Sequence, residues 1–179
     1  MKGESTCMIT GSSDAKSIKN SHLWPDHTKG KGLSFFDLEP EALIHPRNFL
    51  RLHCTIERAF DQCQITLVPE WNTTPSLSTR FRLRVHVLDP ELKAQTVPMK
   101  GFTALKWSDL DERVSHWEFG RKPNQAPYTR LLAQHQFTSL KRAAEKGWIG
   151  SSDLTEMQDR ALRVLRYSLG EAAEMLSSS

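Results

Sequence analysis

Ile56-Glu57-Arg58-Ala59-Phe60-Asp61-Gln62-Cys63, followed by Ile65-Thr66-Leu67-Val68, is the stretch on which the fold turns. Its apolar residues at 56, 59, 60 and 63 recur at i, i+3, i+4 and i+7, the spacing of a short amphipathic helix. The run 65–68 is apolar and partly β-branched, and it predicts a strand leaving that helix. After a polar loop from Pro69 to Thr79, the segment Arg80 to Leu88 alternates with period two. Phe81, Leu83, Val85 and Val87 share one face; Arg80, Arg82, Arg84 and His86 share the other. Asp89-Pro90 ends the strand, and the two strands are expected to pair as a hairpin.

On the N-terminal side, residues 1–47 are rich in Ser, Lys, Gly and Pro. Met8-Ile9-Thr10 before Gly11-Ser12-Ser13-Asp14 predicts a short strand and a turn. His22-Leu23-Trp24-Pro25 reads as another extended piece, and Lys29-Gly30-Lys31-Gly32 as a flexible loop. On the C-terminal side, Pro127 suits a first helical turn. Tyr128, Leu131, Leu132, His135, Leu140 and Ala143 or Ala144 line one face of the helix that follows. Gly147 and Gly150 bracket a break. Ser152 or Asp153 caps a second helix with the stripe Leu154, Met157, Ala161, Leu165 and Leu169. A connection this short implies an antiparallel pair, and Ser177-Ser178-Ser179 is expected to fray.

At 179 residues and 20.4 kDa the chain can hold one domain with a real core, but not two large ones. With 38% hydrophobic and 25% charged residues it fits neither a disordered nor a membrane-spanning protein, and no apolar run approaches the roughly 20 residues that cross a bilayer. The first residues lead into no signal-peptide core. Cys7, Cys54 and Cys63 include no C-x-x-C pair, which argues against a closed zinc finger and points to an intracellular, reducing compartment. A net charge of +3 allows a nucleic-acid partner without requiring one.

The chemistry concentrates before residue 62. There is a His before a strand-ending Pro (His22), an Asn in a loop (Asn48), and a helix with acidic residues. His53, Glu57 and Asp61 are spaced by four, so on one helix they would share a face. A His and carboxylates converging near an Asn could hold one divalent metal and activate water. Carboxylate oxygens suit magnesium or manganese; an imidazole widens the choice toward zinc or nickel.

Four elements in order resemble the HNH endonucleases of the ββα-metal type. Cys7-Met8-Ile9-Thr10-Gly11 is similar to the C-x-x-T-G opening of one subgroup. Ser21-His22-Leu23-Trp24-Pro25 is similar to its A-H-I-x-P element, Asn48-Phe49-Leu50-Arg51-Leu52 to its central Asn element, and Ile56 to Asp61 to its H-x-x-F-D element. The resemblance covers about residues 7–69. It implies that His22 is the general base, that Asn48 orients the imidazole through its side-chain carbonyl, and that Glu57, standing where the family has its last His, binds the metal. Many HNH nucleases carry an Asp or His ligand just before the base, where this chain has Ser21. Asp26, His27, Asp61 or a water are the alternatives there.

The resemblance thus implies an α+β protein. A ββα-metal core with the β-hairpin occupies residues 1–100, and a mainly helical extension, 101–179, packs on it as an antiparallel helical pair. It implies metal-dependent DNA hydrolysis with one divalent ion. The alternatives are an HNH-fold module that has lost cleavage and binds nucleic acid or protein, and a structural partner domain. Arg80, Arg82 and Arg84 on one strand face are candidate phosphate holders, with Lys29 and Lys31 in the loop and Arg47 and Arg58 flanking the site; the solvent face of a hairpin is the competing reading. His45 and His53 read as surface or packing residues, Cys7 as core, Trp107, Trp117 and Trp148 as anchors of the helical part, and the sequon Asn72-Thr73-Thr74 as chance.

Overall fold

The computed structural model describes residues 6–70, 80–102, 104–118, 126–159 and 161–162, without the side chains of Arg80, Trp117 and Glu118. Among these residues no helix is long and apolar enough to cross a membrane.

Two antiparallel strands and a helix form the first unit. Strand β1 (Ile18–His22) pairs with β2 (Phe49–His53) in the register Ser21↔Leu50 and His22↔Phe49. Helix α1 (Cys54–Asp61) starts directly after β2. Leu50 and Leu52 are fully buried on one face of β2, and α1 packs there through Ile56, Ala59 and Phe60. That is the stripe read from the 3.6-residue period, and Cys63 extends it.

Local expectations changed in two places. Met8–Thr10 forms a buried turn rather than a strand: Cys7 N donates to Ser12 O at 2.8 Å, Gly11 sits at φ +74°, and Met8 N donates to Arg51 O at 2.8 Å. His53 is not on the helix face with Glu57 and Asp61. It is the N-cap of α1, where its Nδ1 accepts from Thr55 N at 3.2 Å. Burial lowers its pKa, which keeps that nitrogen free to accept.

Residues 23–48 cross from β1 to β2 through four short 3₁₀ turns. Leu33, Ala42 and Leu43 are buried inside the crossing. Trp24 packs edge-on against Phe36 at 5.4 Å between ring centroids. Gly32, at φ +90°, admits that indole: a Cβ there would lie 3.0 Å from Trp24 Cζ2.

A second sheet carries β3 (Ile65–Pro69), β4 (Arg80–Val87) and β5 (Val114–Glu118) in the order β3-β4-β5, all antiparallel. The predicted hairpin is β3–β4, with Ile65 opposite Val87. The short helices α2 (Pro90–Lys93) and α3 (Trp107–Leu110) cover its end. Helix α4 (Thr129–Glu145) packs on β3. The chain is helical again over 151–159, where Leu154 and Met157 pack on Leu88, Leu140 and Ala143. Leu165, Leu169, the Asn72 sequon and the terminal serines lie outside the described residues.

A single hydrophobic cluster runs from Cys7 through Leu50, Phe60 and Val85 to Trp107, Leu131 and Leu132. The third strand of the second sheet also comes from beyond residue 100. Packing is therefore continuous across that position. The chain is α+β, with a ββα unit, a three-stranded antiparallel sheet and C-terminal helices.

Candidate active site

Strand alternation sorts the residues of β1. Lys19 and Ser21 stand opposite Leu52 and Leu50 and so share the face that α1 covers. Asn20 and His22 take the other face. Ser21 is 3% exposed, and its Oγ donates to Asp61 Oδ1 of α1 at 3.5 Å. Glu57 lies one helical turn before Asp61, on the same side of α1. Ser21 and Asp61 thus meet where the end of β1 faces α1, with Glu57 one turn back along the helix.

The electrostatics of this corner are unbalanced. Desolvation raises the pKa of Glu57, and the charge of Asp61 raises it further; Lys19 works the other way. Desolvation likewise raises Asp61, opposed by the Ser21 hydrogen bond and by the charge of His22. Among the described residues no Lys or Arg forms an ion pair with either carboxylate. Two partly desolvated acids one helical turn apart, one of them bonded to a hydroxyl and neither in an ion pair among the described residues, offer hard oxygen donors of the kind that suits a divalent ion.

His22 sits at the rim, next in the chain to Ser21. Its ring rests on Phe49, the residue opposite it in the register, with centroids 4.4 Å apart and planes tilted by 57°. Asn48 does not reach the imidazole. It is completely buried, and its side chain is committed to backbone: Oδ1 accepts from Trp24 N at 2.8 Å, and Nδ2 donates to Leu43 O at 2.8 Å and to Trp24 O at 3.2 Å. The expected contact between amide and imidazole is therefore replaced by a clamp two residues beyond His22, which fixes how the chain leaves β1.

The expected phosphate holders separate into two groups. Arg82 and Arg84 both pair with Glu70, and Arg84 also reaches Glu112 Oε2 at 3.1 Å. This stripe is charge-compensated, because the solvent face of β4 meets acids from β3 and the β5 turn. The side chain of Arg80 lies outside the described residues. Arg47 is also committed: Nε donates to Ala126 O at 2.8 Å and the guanidinium lies 4.4 Å from the Tyr128 ring centroid. Arg58 is exposed on α1, and Lys31 is exposed in the crossing. Lys29 is exposed beside Asp26 at 3.5 Å. Lys19, which faces Glu57, was missed in the sequence because nothing there marked Ile18–His22 as a strand.

A second group of ligand-type side chains occurs elsewhere. His86, Asp111 and Glu112 bring one ligand atom each within 4.8 Å of one another. Their charges are already answered: His86 Nδ1 lies 2.6 Å from Glu112 Oε1, Lys93 Nζ 2.7 Å from Asp111 Oδ2, and Asp111 Oδ1 accepts from Val87 N at 2.8 Å. These contacts tie Asp111 and Glu112, just before β5, to the end of β4 and to α2.

Residues 7–68 match the family model of the HNH endonucleases, a stretch that holds β1, β2, α1 and nearly all of β3. No curated protein and no solved structure matches the chain.

Proposed function

We propose that the chain is a metal-dependent endonuclease that hydrolyses DNA phosphodiester bonds, with His22 as general base and one divalent cation at Ser21, Glu57 and Asp61. The observation that carries this reading is the contact of Ser21 with Asp61 beside His22, with Glu57 one helical turn away, inside the segment that matches a nuclease family. A cation held there supplies positive charge to the scissile phosphate and to the departing oxygen. The chain's own residues do the rest. His22 accepts the proton of the attacking water, its ring steadied by Phe49. Asn48 holds Trp24, and through it the end of β1, so that His22 keeps a fixed position relative to Asp61. Lys19, Arg58, Lys29 and Lys31 meet the phosphates on either side of the cut. Three free thiols, two of them buried, accord with work in a reducing compartment.

The test is nicking of supercoiled plasmid by the full chain with magnesium or manganese, run beside His22→Ala. Cleavage that depends on the added ion and vanishes in a folded His22→Ala protein supports the proposal. A second reading has its own support: Arg47, Arg82 and Arg84 are committed within the fold, and Asn48 leaves the imidazole without an amide partner. A module that binds nucleic acid without cutting it would retard DNA, lose affinity steeply with salt and nick nothing.

A further inference from the structure

We propose that helix α4, which lies outside the stretch matching the nuclease family, is the brace that sets the distance between His22 and Asp61. Tyr128 and Arg130 at its start hold the crossing behind His22, and His135, between one and two turns on, holds the end of α1. The inference rests on the reading of His22 as base and of Asp61 as a cation ligand. It goes further in making positioning residues of three side chains beyond residue 68.

The crossing is the part that needs holding. Residues 23–48 contain only 3₁₀ turns, so no strand or α-helix fixes them from within. Their two ends are joined at Asn48, whose carbonyl accepts from Leu23 N at 2.8 Å and whose Oδ1 accepts from Trp24 N at 2.8 Å. Whatever fixes Asn48 and Trp24 therefore fixes where β1 ends, and His22 is the last residue of β1.

Two routes run from the start of α4 to that joint. The first passes through Arg47, the neighbour of Asn48. Tyr128 N donates to Arg47 O at 3.0 Å, Arg47 Nε donates to Ala126 O, and the guanidinium lies over the Tyr128 ring. The second passes through Phe36. Arg130 Nη1 donates to Phe36 O at 2.6 Å and lies 3.6 Å from Asp37 Oδ2, and the Phe36 ring packs edge-on against Trp24. Both routes reach Trp24, two residues from His22.

The other foot of the brace stands on α1. His135 stacks on Phe60, and its Nε2 donates to the carbonyl of Phe60, the residue before Asp61. Between the two feet, Leu131, Leu132 and Ala133 are completely buried, and the helix packs on β3. The spacing of Arg130 and His135 is set by the backbone ladder of one helix, so the base side and the carboxylate side of the site are referred to the same rigid element.

Steady-state nicking by the full chain with manganese tests the idea. Tyr128→Ala and Arg130→Ala are compared with the wild type, with Tyr128→Phe, which keeps the ring against Arg47, and with Arg130→Lys, which keeps a donor for Phe36 O. Urea unfolding gives the folded fraction of each variant, and calorimetry its manganese affinity. The two alanine variants are expected to lose about tenfold or more in kcat, because a small displacement of a catalytic group is costly, while KM for DNA and manganese affinity change by less than about twofold. Tyr128→Phe is expected to recover most of the rate, and Arg130→Lys part of it. Nitrogen NMR of the metal-free protein adds a readout apart from activity: the His22 ring signals should shift in both alanine variants and stay in place in Tyr128→Phe. Folded alanine variants with wild-type kcat and wild-type His22 signals overturn the inference. So does a loss of kcat that only follows the unfolded fraction, or a loss carried by KM or by manganese affinity. Should Tyr128→Ala fail to fold, Arg130→Ala, on the half-exposed first turn of α4, decides alone. In each of these cases wild-type nicking that His22→Ala abolishes leaves the nuclease reading standing. A wild type that nicks nothing with magnesium or manganese overturns that reading, and the brace with it.

Discussion

The Ser21 hydroxyl donates to Asp61 Oδ1 across the gap between β1 and α1, joining residues forty positions apart in sequence. This bond ties the end of one strand to the last turn of the helix. Its other consequence is electrostatic: together with the charge of His22, it favours the ionised form of Asp61 against desolvation.

Asp61→Asn is expected to separate stability from activity. With no cation bound, burial disfavours the ionised forms of Asp61 and Glu57, and the charge of Asp61 disfavours that of Glu57 further. Removing one charge relieves that repulsion, so the metal-free melting temperature rises by roughly 2 °C. Nicking falls by about two orders of magnitude or more, because the cation loses a ligand. Calorimetry and a plasmid assay on the same preparation check both halves, and a lower melting temperature contradicts the electrostatic account.

Asn48→Ala tests whether this residue acts as a clamp or as an imidazole partner. The substitution strands Trp24 N and two buried carbonyls, at a cost of about 2–4 kcal/mol. Urea unfolding should show that loss. Well below the melting temperature, cleavage should persist at a reduced level. A large drop in kcat without any loss of stability is the outcome that a direct role toward His22 predicts instead.

His135 gives the protein an acid-sensitive joint. It lies half-buried on α4 against the end of α1, its ring stacked 3.6 Å from Phe60, with Nε2 donating to Phe60 O at 3.1 Å and Nδ1 accepting from Ser139 Oγ at 3.3 Å. Burial pushes its pKa down from 6.5 to about 4. The unfolded chain therefore takes up the proton first. Stability is unaffected by this group above pH 6.5 and declines as the pH falls from 6.5 toward 4. At pH 4.5 the loss is about 2–3 kcal/mol. Urea midpoints at pH 7 and 4.5 should converge in His135→Gln relative to the wild type.

Gln136 is completely buried, and neither atom of its amide has a hydrogen-bond partner. Gln136→Met keeps the shape and removes two desolvated polar atoms. It is expected to stabilise the protein by about 1–2 kcal/mol. Thermal melting measures this; a lower midpoint means that the amide is satisfied in solution.

The salt dependence of DNA binding separates the two classes of cation. Arg84→Ala removes a guanidinium already paired with Glu70 and Glu112, so the slope of log affinity against log salt should not change. Lys31→Ala removes an exposed ammonium in the crossing, so the slope should become shallower by about one unit. The reverse pattern would restore the strand stripe as the DNA-binding face.

The parts of the fold that could be read from the sequence are those in which one face is apolar. The α1 stripe and the alternation of β4 each carry a period that burial imposes, and both were found at the right residues. Strand β1, Ile-Lys-Asn-Ser-His, carries no such period: only Ser21 of its five residues is buried, and its strand character comes from pairing with β2. The candidate site was legible as a set of residue types and an order. Its geometry was not. Nothing local says that Asn48 would use its amide on the backbone of Trp24 and Leu43, that His53 would cap the helix instead of lining it, or that Glu70 and Glu112 would neutralise the arginine stripe. Each of these depends on partners distant in sequence.

The bond from Arg47 to Ala126, together with the addition of β5 to the open side of β4, has a consequence for synthesis on the ribosome. The β1–β2 pair emerges early, but Arg47 and the free edge of the neighbouring sheet must wait for residues made much later. Until those residues arrive, a nascent chain would expose an unpaired strand edge prone to self-association. A fold assembled in this order completes its packing only when the later half of the polypeptide has closed over the first.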